Sequence, residues 1–543
     1  MKKNIKNDKS QVSTFLIKDV KTNTFLSHLA FIIPLCIVFL IVQNYVFKKD
    51  IDINGDNATY YVYASSIDQG YGYSNILLPS KPKTNNFPPG YPLLMSIVMK
   101  FSKSFIAQKV FNSILLLLSC FLIYFIIYNI SKNQVLSLAA SILPTLNYSI
   151  LHFNSMMMSE TSFIFFSLLA FFSIYKLQEP FDFKKILYCP YFYLLTFSSS
   201  YAFHIRIQGI ALIGAIAINF LIQKNWKLAI TYFTGFILSA LPWIIRNKLV
   251  GVEQSRYVSQ ILTANPWRPE DGILSIDEVI TRMFSTIKML ITKAIPDSII
   301  PNSNINYLKD VSILSWIIGI AIILLIVYGF LRCCKKNKWL YLLYIIFNCG
   351  IITLWSAPSG NRYLISIIPF LQMGFLFGIV SLLLLIAKKI ELKNLNANII
   401  VLFLITLFVF VSSKDIYRLD KINSRKQHPA YTNFYSIARA VKKSHPRGDV
   451  VVSSRKPSLF YLYSNCFNVR YSYSLNDSIV INNMLKNKVD YVVLDQLGYS
   501  STDRYLVPAI NKNPNLFKTV MHLKNPDTYL LWFDKVKARE SQH

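Results

Sequence analysis

Signatures of nucleotide binding are missing from this 543-residue sequence, which contains no glycine-rich dinucleotide fingerprint and no P-loop. The seven cysteines show no paired spacing, so we predict neither a disulfide framework nor a zinc site. Acidic residues are scarce, with 27 Asp and Glu against 57 Lys and Arg. The net charge of +30 does not indicate a nucleic-acid partner, because much of it lies in short turns between apolar segments.

The sequence is rich in apolar residues. The chain is 53% hydrophobic and has a mean hydropathy of +0.38. About eleven mostly apolar segments lie between His28 and Ser413, each near the roughly 20 residues needed to cross a bilayer. Backbone groups in lipid must bond to one another, so these segments are predicted to be helices. The predicted spans lie at about 28–47, 108–130, 135–151, 159–175, 186–203, 207–222, 227–244, 311–331, 339–356, 363–386 and 397–413.

The distribution of basic residues predicts the orientation, since short cytoplasmic loops are enriched in Lys and Arg. The N-terminal tail, residues 1–27, is basic, and so are the alternate turns that follow it. These turns contain Lys132, Lys176, Lys184, Lys185, Lys224, Lys227, Arg332, Lys335, Lys336, Lys338, Lys388, Lys389 and Lys393. We therefore predict a cytoplasmic N-terminus, an uncleaved first span, and long extracytoplasmic loops at 48–107 and 245–310. Abundant Lys, Asn and Ile are typical of an AT-rich bacterial genome, which predicts a bacterial cytoplasmic membrane.

Residues 414–543 differ from the rest and predict an extracytoplasmic α/β domain. Short runs rich in β-branched residues predict two buried strands, and two further strands are expected near the C-terminus. The strands are predicted at 449–454, 490–495, 517–523 and 529–533, with helices at 457–464 and 475–487. This domain is basic, which favours anionic membrane lipids or phosphate-bearing substrates, although solubility alone is an alternative.

The first outer loop contains the best candidate for a catalytic base. It reads DINGDNATYYVYASSIDQGYGY and then FPPGYP. Asp56 follows Gly55 just beyond the first span, where a carboxylate can stay ionised and take a proton from an acceptor hydroxyl. The alternative is that Asp56 only caps the helix predicted at 59–67.

Three further charged candidates lie at the predicted outer ends of spans, and Glu160 could share a site with Asp56. Glu160 begins the fourth span. Placing a carboxylate in a membrane helix costs free energy, which favours a functional role for Glu160. Arg206 and Arg362 break the positive-inside pattern, and a guanidinium fork suits phosphate oxygens. The alternatives are that Glu160 complements a helix N-terminus and that the arginines snorkel to the interface.

Weaker candidates lie nearby. Arg246, Lys81 and Lys83 could also meet a phosphate, although lysines in loops are usually solvated. Trp267 in NPWRP could stack on a sugar ring, although interfacial tryptophans are common. The histidines on this face, 152 and 204, are expected to be structural rather than metal ligands.

Taken in order, several motifs resemble those of GT-C integral-membrane glycosyltransferases. They are GDNATYY, GYGY, FPPGYP, MSE, IRIQG, PWIIRN, GNRYLISIIPF, RKPSLFYLYS and DYVVLDQ. The likeness covers most of the chain and is greatest to the bacterial branch related to protein mannosyltransferases and aminoarabinose transferases. It implies a GT-C fold and an enzyme that moves a sugar from a polyprenyl-phosphate carrier to an acceptor hydroxyl, usually with inversion.

The resemblance also implies roles for individual residues. Asp56 would activate the acceptor, and Glu160 would be the second acidic residue. Arg206 and Arg362 would be among the groups that hold the lipid phosphate, and Tyr60 and Tyr91 of the loop motifs would contact sugar or acceptor. The family often has an acidic pair in the first loop, but Asn57 follows Asp56 here. Some relatives use a divalent metal ion, for which this sequence offers no clear ligand set.

Two other functions remain open at this point. A transporter or flippase of lipid-linked glycans would need charged residues at mid-membrane and repeated halves, and neither is evident. A non-catalytic scaffold would use the C-terminal domain to bind partners. The sugar, and whether the acceptor is a lipid, a glycan or a protein, are not specified by the sequence.

Overall fold

A computed structural model of the protein describes residues 24–177, 183–251, 260–300, 305–307, 309–355, 362–392 and 395–540. Their backbone packing forms two compact units. The helical unit takes its described residues from Met1–Lys49, Ile106–Arg246 and Ile280–Ser424. The mixed unit takes its described residues from Asp50–Phe105, Asn247–Val279 and Arg425–His543.

Long apolar helices make up most of the membrane region. Between residues 24 and 299 the helices are α1 Thr24–Val46, α2 Asp56–Asp68, α3 Gly90–Met99, α4 Phe105–Ser131, α5 Gln134–Leu146, α6 Tyr148–Asn154, α7 Glu160–Lys176, α8 Phe183–Leu187, α9 Pro190–Ile205, α10 Gly209–Ile222, α11 Trp226–Leu249, α12 Ile276–Met289 and α13 Ile295–Ile299. They are followed by α14 Ile313–Cys333, α15 Lys338–Thr353, the 3₁₀ turn Arg362–Ile367, α16 Ile368–Lys389 and α17 Ala397–Asn423.

Among the described residues, six helices are long and apolar enough to cross a membrane, namely α1, α4, α11, α14, α16 with its 3₁₀ turn, and α17. The span predicted at 135–151 is a bent pair, because α5 and α6 meet at 60°. Asn147 stands at this break, and its side chain accepts the Ile150 N–H at 3.1 Å, which starts α6 anew. The predicted polytopic helical fold is confirmed.

Four predicted spans correspond to shorter helices, α7, α9, α10 and α15, which have 17, 16, 14 and 16 residues. At 1.5 Å per residue these helices are about 21–26 Å long, less than the roughly 30 Å hydrocarbon core. Two of them end at charged residues: Glu160 is the first residue of α7, and Arg206 directly follows α9. The short helices therefore bring charged side chains to helix ends in the membrane region.

The C-terminal part of the mixed unit, from Arg425, contains both helices and strands, as predicted for 414–543, but position 414 itself lies inside α17. This part contains the helices α18 Pro429–Ser444, α19 Pro457–Ser464, α20 Asp477–Lys486, α21 Val507–Lys512 and α22 Lys535–Glu540. Its strands are β1 Val451–Ser453, β2 Phe467–Val469, β3 Tyr491–Leu494, β4 Phe517–Leu523 and β5 Thr528–Phe533. Their order in the sheet is β2-β1-β3-β5-β4. Strand β1 is parallel to β2 and β3, and β5 is antiparallel to β3 and β4. The four predicted strands are confirmed, and β2 was missed.

Asp495 directly follows β3 and is 1% exposed. Its carboxylate accepts the Leu497 N–H at 3.2 Å. Burial raises the pKa of this carboxyl group to about 6, against the opposing effects of that hydrogen bond and of the Arg455 charge. The Asp495 carboxyl group therefore stays protonated to a higher pH in the folded protein than in the unfolded chain.

We expect the mixed unit to lose stability as the pH rises from about 4 to about 6. The unfolded chain releases the Asp495 proton first, so deprotonation in this window favours unfolding, by at most about 3 kcal/mol. Asp495→Asn should remove this dependence, as measured by hydrogen exchange of the peptide 490–497 in the full chain, corrected for intrinsic exchange rates. Asp477→Asn, at a partly exposed carboxylate whose pKa is lowered mainly by the Asn513 hydrogen bond, is the control. An unchanged pH dependence in Asp495→Asn would contradict the expectation.

Candidate active site

A buried carboxylate in the helical unit binds two guanidinium groups. The Glu160 side chain is 1% exposed, and its Oε1 lies 2.8 Å from Nη1 of Arg206. The same oxygen lies 3.6 Å from Nε of Arg362. The structure thus joins three residues that lie far apart in the sequence and that were each selected separately. We name Glu160, Arg206 and Arg362 the Glu160 cluster.

Each residue of the cluster stands at the end of a helical element. Glu160 begins α7, Arg206 follows the last residue of α9, and Arg362 begins the 3₁₀ turn. Helix ends leave backbone polar groups free to bind other partners, and a carboxylate at a helix N-terminus is favoured by the helix dipole. The helix ends therefore offset part of the cost of burying Glu160 and Arg206, whereas the dipole does not favour a cation at the N-terminal position of Arg362.

Neutral side chains fix the orientation of Arg206. Its Nη1 donates to Ser159 Oγ at 3.1 Å, and its Nε donates to Gln208 Oε1 at 3.2 Å. Gln208 in turn donates from Nε2 to the carbonyl of Tyr363 at 3.3 Å. Gln208 was not singled out from the sequence, although it lies in the IRIQG motif. It connects Arg206 to the turn that contains Arg362.

The cluster has an excess of positive charge, because two guanidinium groups face one carboxylate. The arginine side chains are 13% and 22% exposed, so both are largely shielded from solvent. Electrostatic interactions are stronger in such an environment than in water. An anion with planar or tetrahedral oxygens, such as a phosphate, is the ligand that this arrangement would bind best.

Sequence reasoning missed a buried polar region in α4. Lys109 is fully buried, and its Nζ donates to the carbonyl of Lys48 at 2.8 Å. One turn further along, Asn112 donates to the carbonyl of Met158 at 3.2 Å, two residues before Glu160. A lysine inside the span predicted at 108–130 was the available signal, because ionisable residues in membrane helices are rare.

Asp56 is the first residue of α2 in the mixed unit and is partly buried. It follows Gly55, whose φ of 97° suits glycine. The Asn57 side chain is fully buried; its Oδ1 accepts the N–H groups of Gly55 and Ala58, and its Nδ2 donates to the carbonyl of Asp52. Asn57 therefore closes the loop that presents Asp56. The N-cap position of α2 is Gly55, so these Asn57 bonds close the turn before α2 and are not a side-chain helix cap.

The two tyrosines predicted to bind sugar or acceptor pack against each other. Tyr60 and Tyr91 are 5% and 0% exposed, and their rings meet edge to face at 5.1 Å. The Phe87 ring lies 4.7 Å from that of Tyr60. These rings form the core of the first loop, and substrate contact by either tyrosine stays a prediction.

The lysines of the first loop share one partner, Tyr71. Nζ of Lys81 lies 3.6 Å from the centre of the Tyr71 ring, and Nζ of Lys83 donates to the Tyr71 carbonyl at 2.8 Å. Both ammonium groups are therefore engaged in ordering the loop. A role in binding phosphate stays a prediction for each of them.

Arg246 and Trp267 lie in different surroundings. The Arg246 guanidinium stacks on the ring of Trp243 at 4.8 Å, and Trp267 is 54% exposed. Nε2 of His204 lies 3.1 Å from the Ser239 carbonyl, which agrees with a structural role. In the described part of the chain, no three His, Cys, Asp or Glu side chains are grouped to hold a metal ion.

Comparisons with known proteins agree with this architecture. Residues 85–254 match the family described as dolichyl-phosphate-mannose-protein mannosyltransferase. No curated protein sequence matches the chain. The archaeal oligosaccharyltransferase AglB from Archaeoglobus fulgidus, solved with an inhibitory peptide and a dolichol-phosphate, is similar with a TM-score of 0.56 at 14% identity, covering 86% of this chain and 69% of that chain.

ArnT from Cupriavidus metallidurans is similar over almost its whole length. In the apo state it has a TM-score of 0.58 at 12% identity, covering 93% of this chain and 98% of that chain. Bound to undecaprenyl phosphate it has a TM-score of 0.56 at 11% identity, covering 92% and 97%. Identities this low establish the fold alone. The resemblance seen in the sequence motifs is confirmed at the level of the fold: this is a polytopic membrane protein with the GT-C fold that it shares with ArnT and AglB.

Proposed function

We propose that the protein is a glycosyltransferase that moves a sugar from a polyprenyl-phosphate carrier to an acceptor hydroxyl. The reaction would take place at the outer face of a bacterial cytoplasmic membrane, with the N-terminus in the cytoplasm. The observation that carries this proposal is the Glu160 cluster, in which two arginines share one buried carboxylate and keep a net positive charge. Such a group suits a ligand whose phosphate becomes more negative as the reaction proceeds.

The comparisons support a lipid-linked donor. The family that matches residues 85–254 is named for a dolichyl-phosphate-linked sugar, and two proteins of similar fold were solved with dolichol-phosphate or undecaprenyl phosphate. A donor carried by a lipid also agrees with the lack of P-loop and dinucleotide motifs. An acceptor peptide was tethered by a disulfide bond to an oligosaccharyltransferase of similar fold from Archaeoglobus fulgidus, and for this chain the acceptor is a lipid, a glycan or a protein.

The proposed chemistry is a single displacement. The Asp56 carboxylate accepts the proton of the acceptor hydroxyl as its oxygen attacks the anomeric carbon of the sugar. The bond between that carbon and the phosphate oxygen breaks on the opposite side, so the configuration inverts. The polyprenyl phosphate leaves with one additional negative charge. Arg206 and Arg362 would stabilise this charge, and Glu160 would hold both guanidinium groups in position.

The test is a comparison of envelope glycans and lipids from cells with and without the gene. We expect the deletion strain to lose one sugar substituent and to accumulate the polyprenyl-phosphate-linked form of the same sugar. Mass spectrometry of both fractions measures the two effects. An unchanged glycan profile, with no accumulated donor, would contradict the proposal.

An assay with purified protein in vesicles distinguishes a glycosyltransferase from a transporter. The vesicles would contain the accumulated lipid-linked sugar, with acceptor extract on one side. Transfer of the sugar to the acceptor with release of polyprenyl phosphate supports the proposal. Movement of the intact lipid-linked sugar between leaflets, without a transfer product, would identify a flippase instead.

A further inference from the structure

We propose that Lys456 of the C-terminal domain is a positioning residue for Asp56. This inference rests on the proposed function, because it assigns a role relative to the proposed base. It gives the C-terminal domain a part in the reaction: to hold the first loop in the geometry that presents the Asp56 carboxylate.

The contact that carries the proposal is made by the Lys456 ammonium group. Its Nζ donates to the carbonyl of Asn54 at 2.8 Å. Nζ of Lys456 also lies close to Gly55. If Gly55 had a side chain, its Cβ would be only 3.1 Å from this nitrogen, so Lys456 packs directly against the backbone before α2. The Asn54 side-chain oxygen, Oδ1, accepts a hydrogen bond from the N–H of Asp56 at 3.4 Å. Lys456 therefore holds the residue that contacts the Asp56 backbone.

The ammonium group is itself held in place. Nζ of Lys456 lies 4.5 Å from the centre of the Tyr499 ring, a distance at which a cation is attracted to the ring face. The Tyr499 hydroxyl lies 3.3 Å from that of Tyr431 on α18. Burial would raise the pKa of Tyr499, but the Lys456 and Arg455 charges lower it, which agrees with a cation close to this ring. A flexible lysine is thus restricted to one orientation.

Two further contacts join the same parts of the mixed unit. The hydroxyls of Thr59 in α2 and Ser458 in α19 are 2.8 Å apart. The N–H of Asn468 in β2 donates to the carbonyl of Leu77 at 2.8 Å. These contacts attach the loop to the domain, whereas Lys456 supplies a charged group to the turn beside Asp56. A hydrogen bond from a charged donor is roughly twice as strong as one between neutral groups.

The experiment compares Lys456→Met, Lys456→Arg and Ser458→Ala in the full chain. Met keeps much of the side-chain length but cannot donate, Arg restores a cationic donor, and Ser458→Ala removes a neutral bond from the same segment. The measurements are kcat, KM for the lipid-linked donor, and hydrogen exchange of the peptide 50–60.

We expect Lys456→Met to lower kcat by about 10–100-fold, since a small misplacement of a catalytic group has effects of this size. The donor KM should stay within about twofold, and amides of 50–60 should exchange faster. Lys456→Arg should recover most of kcat, and Ser458→Ala should keep it within about threefold. Unchanged kcat in Lys456→Met, or lowered kcat with unchanged exchange at 50–60, would overturn the inference. A wild-type protein without transfer activity would refute the proposed function, and the exchange measurement would then decide alone whether Lys456 orders this segment.

Discussion

Replacing Asp56 by Asn is expected to lower kcat for sugar transfer by about 10²–10⁴-fold. The amide has the shape of the carboxylate but cannot accept the proton of the acceptor hydroxyl. The loop that holds this position does not depend on the Asp56 charge for the bonds already described, because Asn57 closes the turn through the N–H groups of Gly55 and Ala58. Loss of a charge at the helix N-terminus should cost only about 0.3–1 kcal/mol of stability. The assay is transfer from the lipid-linked donor by purified protein.

The matched control is Asp68→Asn at the other end of the same helix. The Asp68 carboxylate lies 2.8 Å from Nζ of Lys100 and 3.1 Å from Nζ of Lys103, and both lysines are well exposed. Ion pairs of this kind contribute about 0–1 kcal/mol, so transfer should stay within about twofold of wild type. Full activity of Asp56→Asn would exclude Asp56 as the base, and loss in both variants would indicate damage to α2 instead. Asp52→Asn tests the nearest other carboxylate of the loop.

The fold was predictable where one physical requirement acts alone. Long apolar runs must form helices in lipid, so α1, α4 and α14 were placed to within a few residues. Short β-branched runs identified β1 and β3, because buried parallel strands read as continuous apolar segments. The strand β2, with three residues, is too short to show a period and is defined by its pairing with β1. The break between α5 and α6 has local signals that the prediction did not use, namely Pro144 within α5 and Asn147, whose side chain caps α6.

The candidate site was predictable in its charges but not in its contacts. Arg206 and Arg362 were recognised because they break the positive-inside pattern, yet nothing in the sequence indicates that both face Glu160. That pairing depends on how short helices such as α7 and α9 end. Gln208 was missed because its role is a bond between two elements that meet only in the fold. A neutral polar residue gives no sign of such a role in a single sequence.

Arg206→Gln is expected to destabilise the protein by about 3–5 kcal/mol, the usual cost of removing one partner from a buried ion pair. Glu160 would keep only the longer contact with Arg362 at 3.6 Å. The double variant Glu160→Gln, Arg206→Gln should lose less stability than the sum of the single variants, by about 0.5–3 kcal/mol, because it leaves fewer unpaired charges. Reversible denaturant unfolding of the reconstituted protein measures all three variants.

Arg246→Gln is the matched control, since it makes the same change at another arginine chosen from the sequence. The Arg246 guanidinium contacts the Trp243 ring at 4.8 Å, and the loss of that contact should cost about 0.5–1 kcal/mol. Equal destabilisation by Arg206→Gln and Arg246→Gln would show that the pair with Glu160 contributes little.

Transfer activity in the same variants separates two roles of Arg206. If Arg206 only neutralises Glu160, the double variant should recover activity together with stability. If its guanidinium also stabilises the leaving phosphate, activity stays low while stability returns, and kcat falls more than the donor KM rises. We expect the second result, because Arg206 and Arg362 together have one more positive charge than Glu160 can balance.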